Sequence, residues 1–388
     1  MSTQINLTKR DFLKCAALGT CGLAISSFPL NLFGGVNKFF SSPVPNTPET
    51  LWKWSKEALY YINTPKGLKC KLCPRHCEIK PDEVGECRTN LSHDGKLYSI
   101  SYGNPCAVHI DPIEKKPLYH FLPSTTAFSI ATAGCNLACL NCQNWEISQA
   151  DPRKTRNYDL MPDQVVKEAK NNHCPSIAYT YSDPVAFYEY TLDTSMLARQ
   201  QGVKNTIHSA GYINEEPLRR LLPYVDAANI DLKSFDDQIY EMLNAGTLQP
   251  VLDTLKTIRE EGVWLEITNL IVPTWNDDMD MIKKMCEWLV DNDLESTPLH
   301  FSRFSPLYKL TNLPQTPVST LDQAREIAFS SGIKYVYIGN VPNHEGNNTY
   351  CPKCKKLLVE RLGFFVQQNN IVNSHCKFCG ELIDGVWQ

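Results

Sequence analysis

A chain of 388 residues, 43% hydrophobic and 21% charged, can bury one large core with smaller additions, which excludes global disorder. The formal net charge of −4 supplies no basic field, so a large nucleic-acid footprint is not expected. Sixteen cysteines, most in close-spaced sets, argue against the spread-out bridges of a small secreted scaffold and for metal ligation.

Residues 1–48 read as a leader and a linker. Thr8-Lys9-Arg10-Asp11-Phe12-Leu13-Lys14 precedes a mildly apolar run from Cys15 to Leu30, the layout of a twin-arginine export leader with Lys9 in place of the first arginine. An untranslocated amphipathic tail is the plain alternative. The run is too short and too rich in small residues for a transmembrane span, and no other segment approaches one. Ser, Pro, Asn and Gly then mark a linker, with a short helix expected over Thr50–Tyr61.

Residues 49–123 form an N-terminal cysteine-rich module, β-rich in its second half. Cys70-x2-Cys73-x3-Cys77, with Cys87 following, offers four thiolates. A second iron–sulfur cluster and a zinc ion both satisfy that set, and the spacing does not choose. Arg75 and His76, inside the loop, are placed to tune either through hydrogen bonds to the ligands.

Over residues 124–340 apolar β-rich runs alternate with helical stretches. The strands are Ala127–Thr132, Ser176–Tyr181, Asn205–His208, Ala227–Leu232, Trp264–Val272 and Leu299–Phe304, with Tyr335–Ile338 as a last addition. The helices are Pro162–Asn171, Ala186–Gln200, Glu215–Leu222, Asp236–Leu243, Gln249–Glu261, Asp278–Asn292 and Leu321–Ser331. This alternation predicts an α/β fold, a partial, TIM-like (β/α)6 barrel of parallel strands, with chemistry at the strands' C-terminal ends.

Cys135-x3-Cys139-x2-Cys142 follows the first of these strands. Three thiolates on one short loop can bind three irons of a cubane and leave the fourth open. A zinc site lacking its fourth ligand is the alternative. Asp183 follows the second strand, and Asn229, Asp231 and Lys233 share one face at the end of the fourth. The plain readings are a helix cap for Asp183 and a bracing ion pair for Asp231 and Lys233. His208 with Ser209, and His300 with Arg303, are further pocket candidates.

Residues 341–388 read as a zinc-ribbon-like module, in which Cys351-x2-Cys354 faces Cys376-x2-Cys379 and Gly380 permits the tight turn. Zinc is the preferred ion, rubredoxin-like iron the alternative, and two disulfides the competing reading in an exported chain.

Longer phrases accompany these sets. They are Cys70-Lys-Leu-Cys73-Pro-Arg-His-Cys77, Asp111-Pro-Ile-Glu-Lys-Lys-Pro-Leu-Tyr-His120, Ala133-Gly-Cys-Asn136, Cys142-Gln-Asn-Trp-Glu-Ile147, Asn229-Ile-Asp-Leu-Lys233, His300-Phe-Ser-Arg-Phe304 and Tyr335-Val-Tyr-Ile-Gly-Asn340. With the cysteine loop they resemble the radical S-adenosylmethionine (SAM) superfamily, and within it the AmmeMemoRadiSam system enzymes, relatives of the pyruvate formate-lyase activating enzyme.

The resemblance implies a [4Fe-4S] cluster on Cys135, Cys139 and Cys142, with SAM on the open iron. It implies reductive cleavage of SAM to a 5′-deoxyadenosyl radical that abstracts hydrogen from a protein, peptide or small molecule. A flavodoxin or ferredoxin would supply the electron. Asp231 would then accept from the ribose hydroxyls and Lys233 would pair with the SAM carboxylate. One departure stands out: where the superfamily's Gly-Gly-Glu-type segment meets the SAM amino group, this chain has Tyr179-Thr-Tyr-Ser-Asp183-Pro, and Asp183, one methylene shorter, is the carboxylate that would make that contact. That change favours the alternative of an iron–sulfur electron-transfer or metal-scaffold protein without SAM cleavage, and the intact cysteine loop opposes it. SAM and strong reductants imply a cytoplasmic site of action, whereas the leader-like start implies export or tethering.

Overall fold

Thr47 opens the described part of the chain: in the computed structural model, residues 47–388 are described. Its hydroxyl accepts from the Thr50 N–H and starts the helix Pro48–Lys53. The helix is shorter than expected because Trp54 turns inward, burying its ring and donating its indole N–H to Asp159. The leader-like segment, with Cys15 and Cys21, lies outside the described residues.

Short strands follow: β1 (Lys56–Glu57), β2 (Tyr61–Thr64), β3 (Gly67–Cys70), β4 (Glu78–Ile79), β5 (Asn90–His93) and β6 (Lys96–Ser99). They pair as two antiparallel sheets, β1-β6-β5 and β2-β3-β4. Leu68, Leu72, Ile79 and Leu97 from this region join the main hydrophobic core.

The central sheet has eight strands in strict sequence order: β7 (Ala107–Pro112), β8 (Thr126–Ala131), β9 (Ser176–Tyr179), β10 (Lys204–Ser209), β11 (Ala227–Asp231), β12 (Trp264–Ile271), β13 (Leu299–Arg303) and β14 (Val336–Gly339). The strands from β8 to β14 are parallel, and β7 adds antiparallel to β8 at one edge. Among the described residues β7 and β14 do not pair, so the sheet is open rather than a closed barrel. β9 is buried at every position, as a parallel strand covered on both faces should be. The covering helices are amphipathic: Gln249–Glu260 buries Val251, Leu252, Leu255 and Ile258 against the sheet.

One expected helix is reshaped. Asp236 caps only a short helix, Asp237–Ile239, which widens into a π turn over Tyr240–Asn244 and ends at Ala245 with φ 55°. The widened turn frees the Leu243 and Asn244 carbonyls, which accept from Leu140 and Ala138 of the cysteine loop.

After β14 the chain forms β15 (Thr349–Tyr350), β16 (Leu357–Leu362), β17 (Phe365–Asn369), β18 (Ile371–Val372) and β19 (His375–Cys376). This ribbon shares a core with the sheet through Tyr119, Tyr335 and Tyr337, packed on Cys351, Leu358, Val359 and Cys376. No described helix is long and apolar enough to cross a membrane.

Candidate functional site

The C-terminal ends of the parallel strands converge on the loop that follows β8. Gly134 turns the chain there with φ 100° and donates its N–H to Ile147 O at 3.0 Å. Neighbouring elements then hold the loop on all sides. Ala138 N donates to Asn244 O at 3.1 Å, Leu140 N to Leu243 O at 2.9 Å, and Lys309 N to Leu140 O at 3.1 Å. Asn136 Nδ2 reaches Tyr212 O at 2.6 Å, and Gln149 Nε2 reaches Leu137 O at 3.1 Å.

Cys135, Cys139 and Cys142 stand on this loop as free, partly buried thiols. Cys142 Sγ lies 3.0 Å from Ser148 Oγ, and Leu137 N donates to Cys135 Sγ at 3.4 Å. Burial pushes the Cys135 thiol well up, and the nearby Asp183 carboxylate pushes it the same way. Burial also raises Cys139, against the pull of the Lys233 ammonium beside it. A group that binds thiolates supplies the positive charge that burial withholds.

Asp231, at the end of β11, accepts from His208 Nε2 at 3.0 Å and from Lys233 Nζ at 2.9 Å. Burial opposes its charge, but Lys233 and His208 outweigh it and hold the carboxyl well below the usual range. Lys233 is in turn kept protonated by Asp231 and by its place next to Cys139. His208, Asp231 and Lys233 remain partly exposed, so the group opens onto the space beside the loop.

Asp183 is buried and saturated. It accepts from Val185 N at 3.0 Å, from Ala210 N at 2.8 Å, and from Ser209 Oγ at 3.0 and 3.1 Å. Burial raises its carboxyl despite these neutral donors. It caps the 3-10 turn Pro184–Phe187 and ties β9 to the end of β10.

Asn229 and His300 are engaged by other partners. Asn229 donates to Pro117 O at 2.8 Å and accepts from Thr268 Oγ1 at 2.9 Å. It lies two residues below Asp231, one layer deeper on the same face. His300, second residue of β13, pairs with the buried Glu266 carboxylate at 2.7 Å. Arg303 donates to Thr316 O at 2.8 Å.

Several contributors carried no local sequence signal. Asn244, in the π turn, is fully buried next to Cys139, and its amide has no ordinary hydrogen bond. Tyr240 places its hydroxyl 3.2 Å from Lys233 N, and Asn276 Nδ2 holds Lys233 O at 2.6 Å. These residues fix the lysine from elements distant in sequence.

The flanking cysteine sets differ in geometry. Cys351, Cys354, Cys376 and Cys379 bring their sulfurs within 4.8 Å of one another, a group that could hold a metal ion. Cys70, Cys73, Cys77 and Cys87 instead line one chamber with Asn136 in its wall.

Residues 129–289 match the family model of the Radical SAM superfamily, which spans the cysteine loop and the strand ends just described. The chain is also 47% identical over 332 residues to an uncharacterized protein, MJ0808, of Methanocaldococcus jannaschii, covering 85% of this chain and 99% of that one. The chain belongs to the radical SAM superfamily. Pyruvate formate-lyase 1-activating enzyme of Escherichia coli K12 is 21% identical over 220 residues, covering 53% of this chain and 89% of that one. The crystal structure of Streptococcus suis SuiB bound to precursor peptide SuiA superposes with a TM-score of 0.44 at 14% identity, covering 60% of this chain and 52% of that one.

As a radical SAM enzyme the chain uses a [4Fe-4S] cluster and SAM, and the donor set suits both. The loop offers three thiols, one too few to close a cubane, beside an unpartnered buried amide and a fixed ammonium.

Proposed function

We propose that Cys135, Cys139 and Cys142 hold the [4Fe-4S] cluster with one iron position open to SAM. The carrying observation is the loop itself: three free thiols at the end of the first parallel strand, held by hydrogen bonds from three separate segments. When bound, the cluster would pass one electron to SAM and break its sulfur–C5′ bond, giving methionine and a 5′-deoxyadenosyl radical able to take hydrogen from a substrate.

The chain's residues bind, orient and shield. Lys233, kept charged by Asp231, pairs with the SAM carboxylate beside Cys139. Asp231 shares its remaining acceptor capacity with a ribose hydroxyl, while His208 fixes its orientation. Asp183 is a positioning residue, because its oxygens are already occupied; it holds the Ser209–Ala210 corner at the end of β10, which would support bound SAM. The buried Asn244 amide, next to Cys139, would donate to a thiolate or sulfide of the cluster.

The likeness to activating enzymes supports a protein or peptide backbone as hydrogen donor and a flavodoxin or ferredoxin as reductant. The phrases around the cysteine loop support placement among the AmmeMemoRadiSam system enzymes. Dependence on SAM and a strong reductant supports action in the cytoplasm. For the C-terminal set we propose zinc. Its sulfurs pair at 3.6 and 3.7 Å, close to the edge of about 3.8 Å that a tetrahedral ion with Zn–S bonds of about 2.3 Å requires.

The test is anaerobic reconstitution with iron and sulfide, then addition of SAM and dithionite and quantification of 5′-deoxyadenosine. Wild type is expected to form it and Cys142→Ala to form none. No product from a sample with a spectroscopically intact cluster at the loop would sink the reading.

A further inference from the structure

We infer that Cys70, Cys73, Cys77 and Cys87 form a second [4Fe-4S] site, with every iron ligated by the chain, rather than a zinc site. The two flanking cysteine sets can be compared directly. At the C-terminus four sulfurs crowd within 4.8 Å, as thiolates sharing one ion must. Among the described residues the N-terminal four do not crowd in this way. They line one common pocket whose other walls include Leu72, Ile79, Gly85 and Val185. Thiolates that each take a different iron of a cubane stand farther apart than thiolates on one ion, and the core between them needs room.

The chamber wall is cut to leave that room. A Cβ on Gly85 would stand 3.1 Å from Ile79 Cδ1 and 3.8 Å from Cys77 Sγ, so a larger side chain would grow into the space. Each sulfur also meets a donor. Asn90 Nδ2 points at Cys70 Sγ from 3.7 Å and Thr89 Oγ1 at Cys87 Sγ from 3.1 Å. The Leu72, Arg75 and Glu86 backbone N–H groups face Cys70, Cys73 and Cys77. Donors of this kind stabilise the thiolates and offset the negative charge of a buried cluster. Four protein ligands leave no iron open, so this site does not bind substrate.

The chamber adjoins the central loop. Asn136, next to Cys135, stands in its wall, and Arg75 crosses from the chamber to the Asn136 and Ala245 carbonyls. The ligand assignment does not depend on the function proposed above, and the test separates the two.

The full chain and its Cys135→Ala/Cys139→Ala/Cys142→Ala variant are purified anaerobically, with iron, sulfide and zinc counted and electron paramagnetic resonance recorded after reduction. Wild type is expected to hold about eight iron per chain and the variant about four, with a reduced-cluster signal retained. A variant free of iron, with about two zinc per chain, overturns the inference. If the variant does not fold, the wild type decides: about eight iron supports a second cluster, and about four iron with two zinc overturns it. About four iron in both proteins would remove the cluster from the central loop and leave this inference standing.

Discussion

Gly134 and Cys87 meet backbone to backbone: a Cβ built on Gly134 would stand 2.5 Å from the Cys87 carbonyl oxygen. The central cysteine loop therefore starts against the last ligand of the N-terminal set, at a residue whose φ is 100°. Gly134→Ala adds backbone strain to a clash with the Thr89 methyl and the Cys87 carbonyl oxygen, and the second of these is main chain and cannot simply rotate away. The expected cost is roughly 2 kcal/mol or more in stability, together with lower iron retention. Denaturant titration and iron analysis check it, and an unchanged midpoint with full iron would refute the close approach.

Asp231 is the shared partner of Lys233 and His208, so Asp231→Asn leaves the Lys233 ammonium facing the proposed SAM site without its anion and weakens the hold on the His208 ring. SAM affinity is expected to fall about tenfold or more by calorimetry on reconstituted protein, with Asp231→Glu recovering part of it. The same carboxyl gives a pH signature. Its folded pKa is depressed, so its stabilisation is complete above the unfolded value of about 4 and fades below that as the unfolded chain takes up the proton first. The stability gap between wild type and Asp231→Asn should accordingly narrow in acid. A gap that widens below pH 4 would contradict the ion pair.

The strands were legible because parallel strands covered on both faces read as short apolar runs. Expected and observed ends differ by one or two residues from Ser176–Tyr179 to Leu299–Arg303. Alternation likewise put Asn229, Asp231 and Lys233 on one face. It could not report partners: Asn229 is engaged by Pro117 and Thr268, and His300 by the buried Glu266 carboxylate. The π turn was hidden because its cause is the distant loop whose N–H groups it receives. Asn244 and Asn276 were hidden for the same reason, since their partners are contacts made only in the folded chain.

His120 offers a second pH test, remote from the site. It is fully buried, with Nδ1 2.6 Å from Asp384 O and Nε2 against the Tyr337 hydroxyl. Burial pushes it down to about 4, against the pull of the Glu266 carboxylate. The folded chain thus keeps it neutral while the unfolded chain protonates near pH 6.5, and stability drains away as pH falls from about 6.5 to about 4. The total is on the order of 3 kcal/mol. His120→Gln, which keeps a donor and an acceptor, should flatten the slope of unfolding free energy by about one proton in that window. An unaltered slope would mean that His120 is protonated in the fold.

The zinc proposed for the C-terminal set can be removed with little direct damage to the core, because Cys379 is exposed whereas Cys351 and Cys376 are buried. Cys379→Ala should lower the zinc content by about one per chain and leave iron unchanged. The ribbon also holds Arg361, which stacks over Tyr119 at 4.2 Å and donates to Tyr119 O at 2.9 Å and Thr349 Oγ1 at 2.8 Å. Losing the ion should therefore loosen the junction between ribbon and sheet as well as the ribbon, since a structural zinc site contributes folding free energy directly. Trp387 reports this locally: its indole donates to Ile383 O at 2.9 Å and packs on the same core. Its fluorescence, taken as the difference from a Trp387→Phe background among the seven tryptophans, is expected to shift at a lower temperature than the loss of helix signal in the variant, while the two coincide in wild type. Coincident transitions with unchanged metal content would show that the four sulfurs meet without an ion.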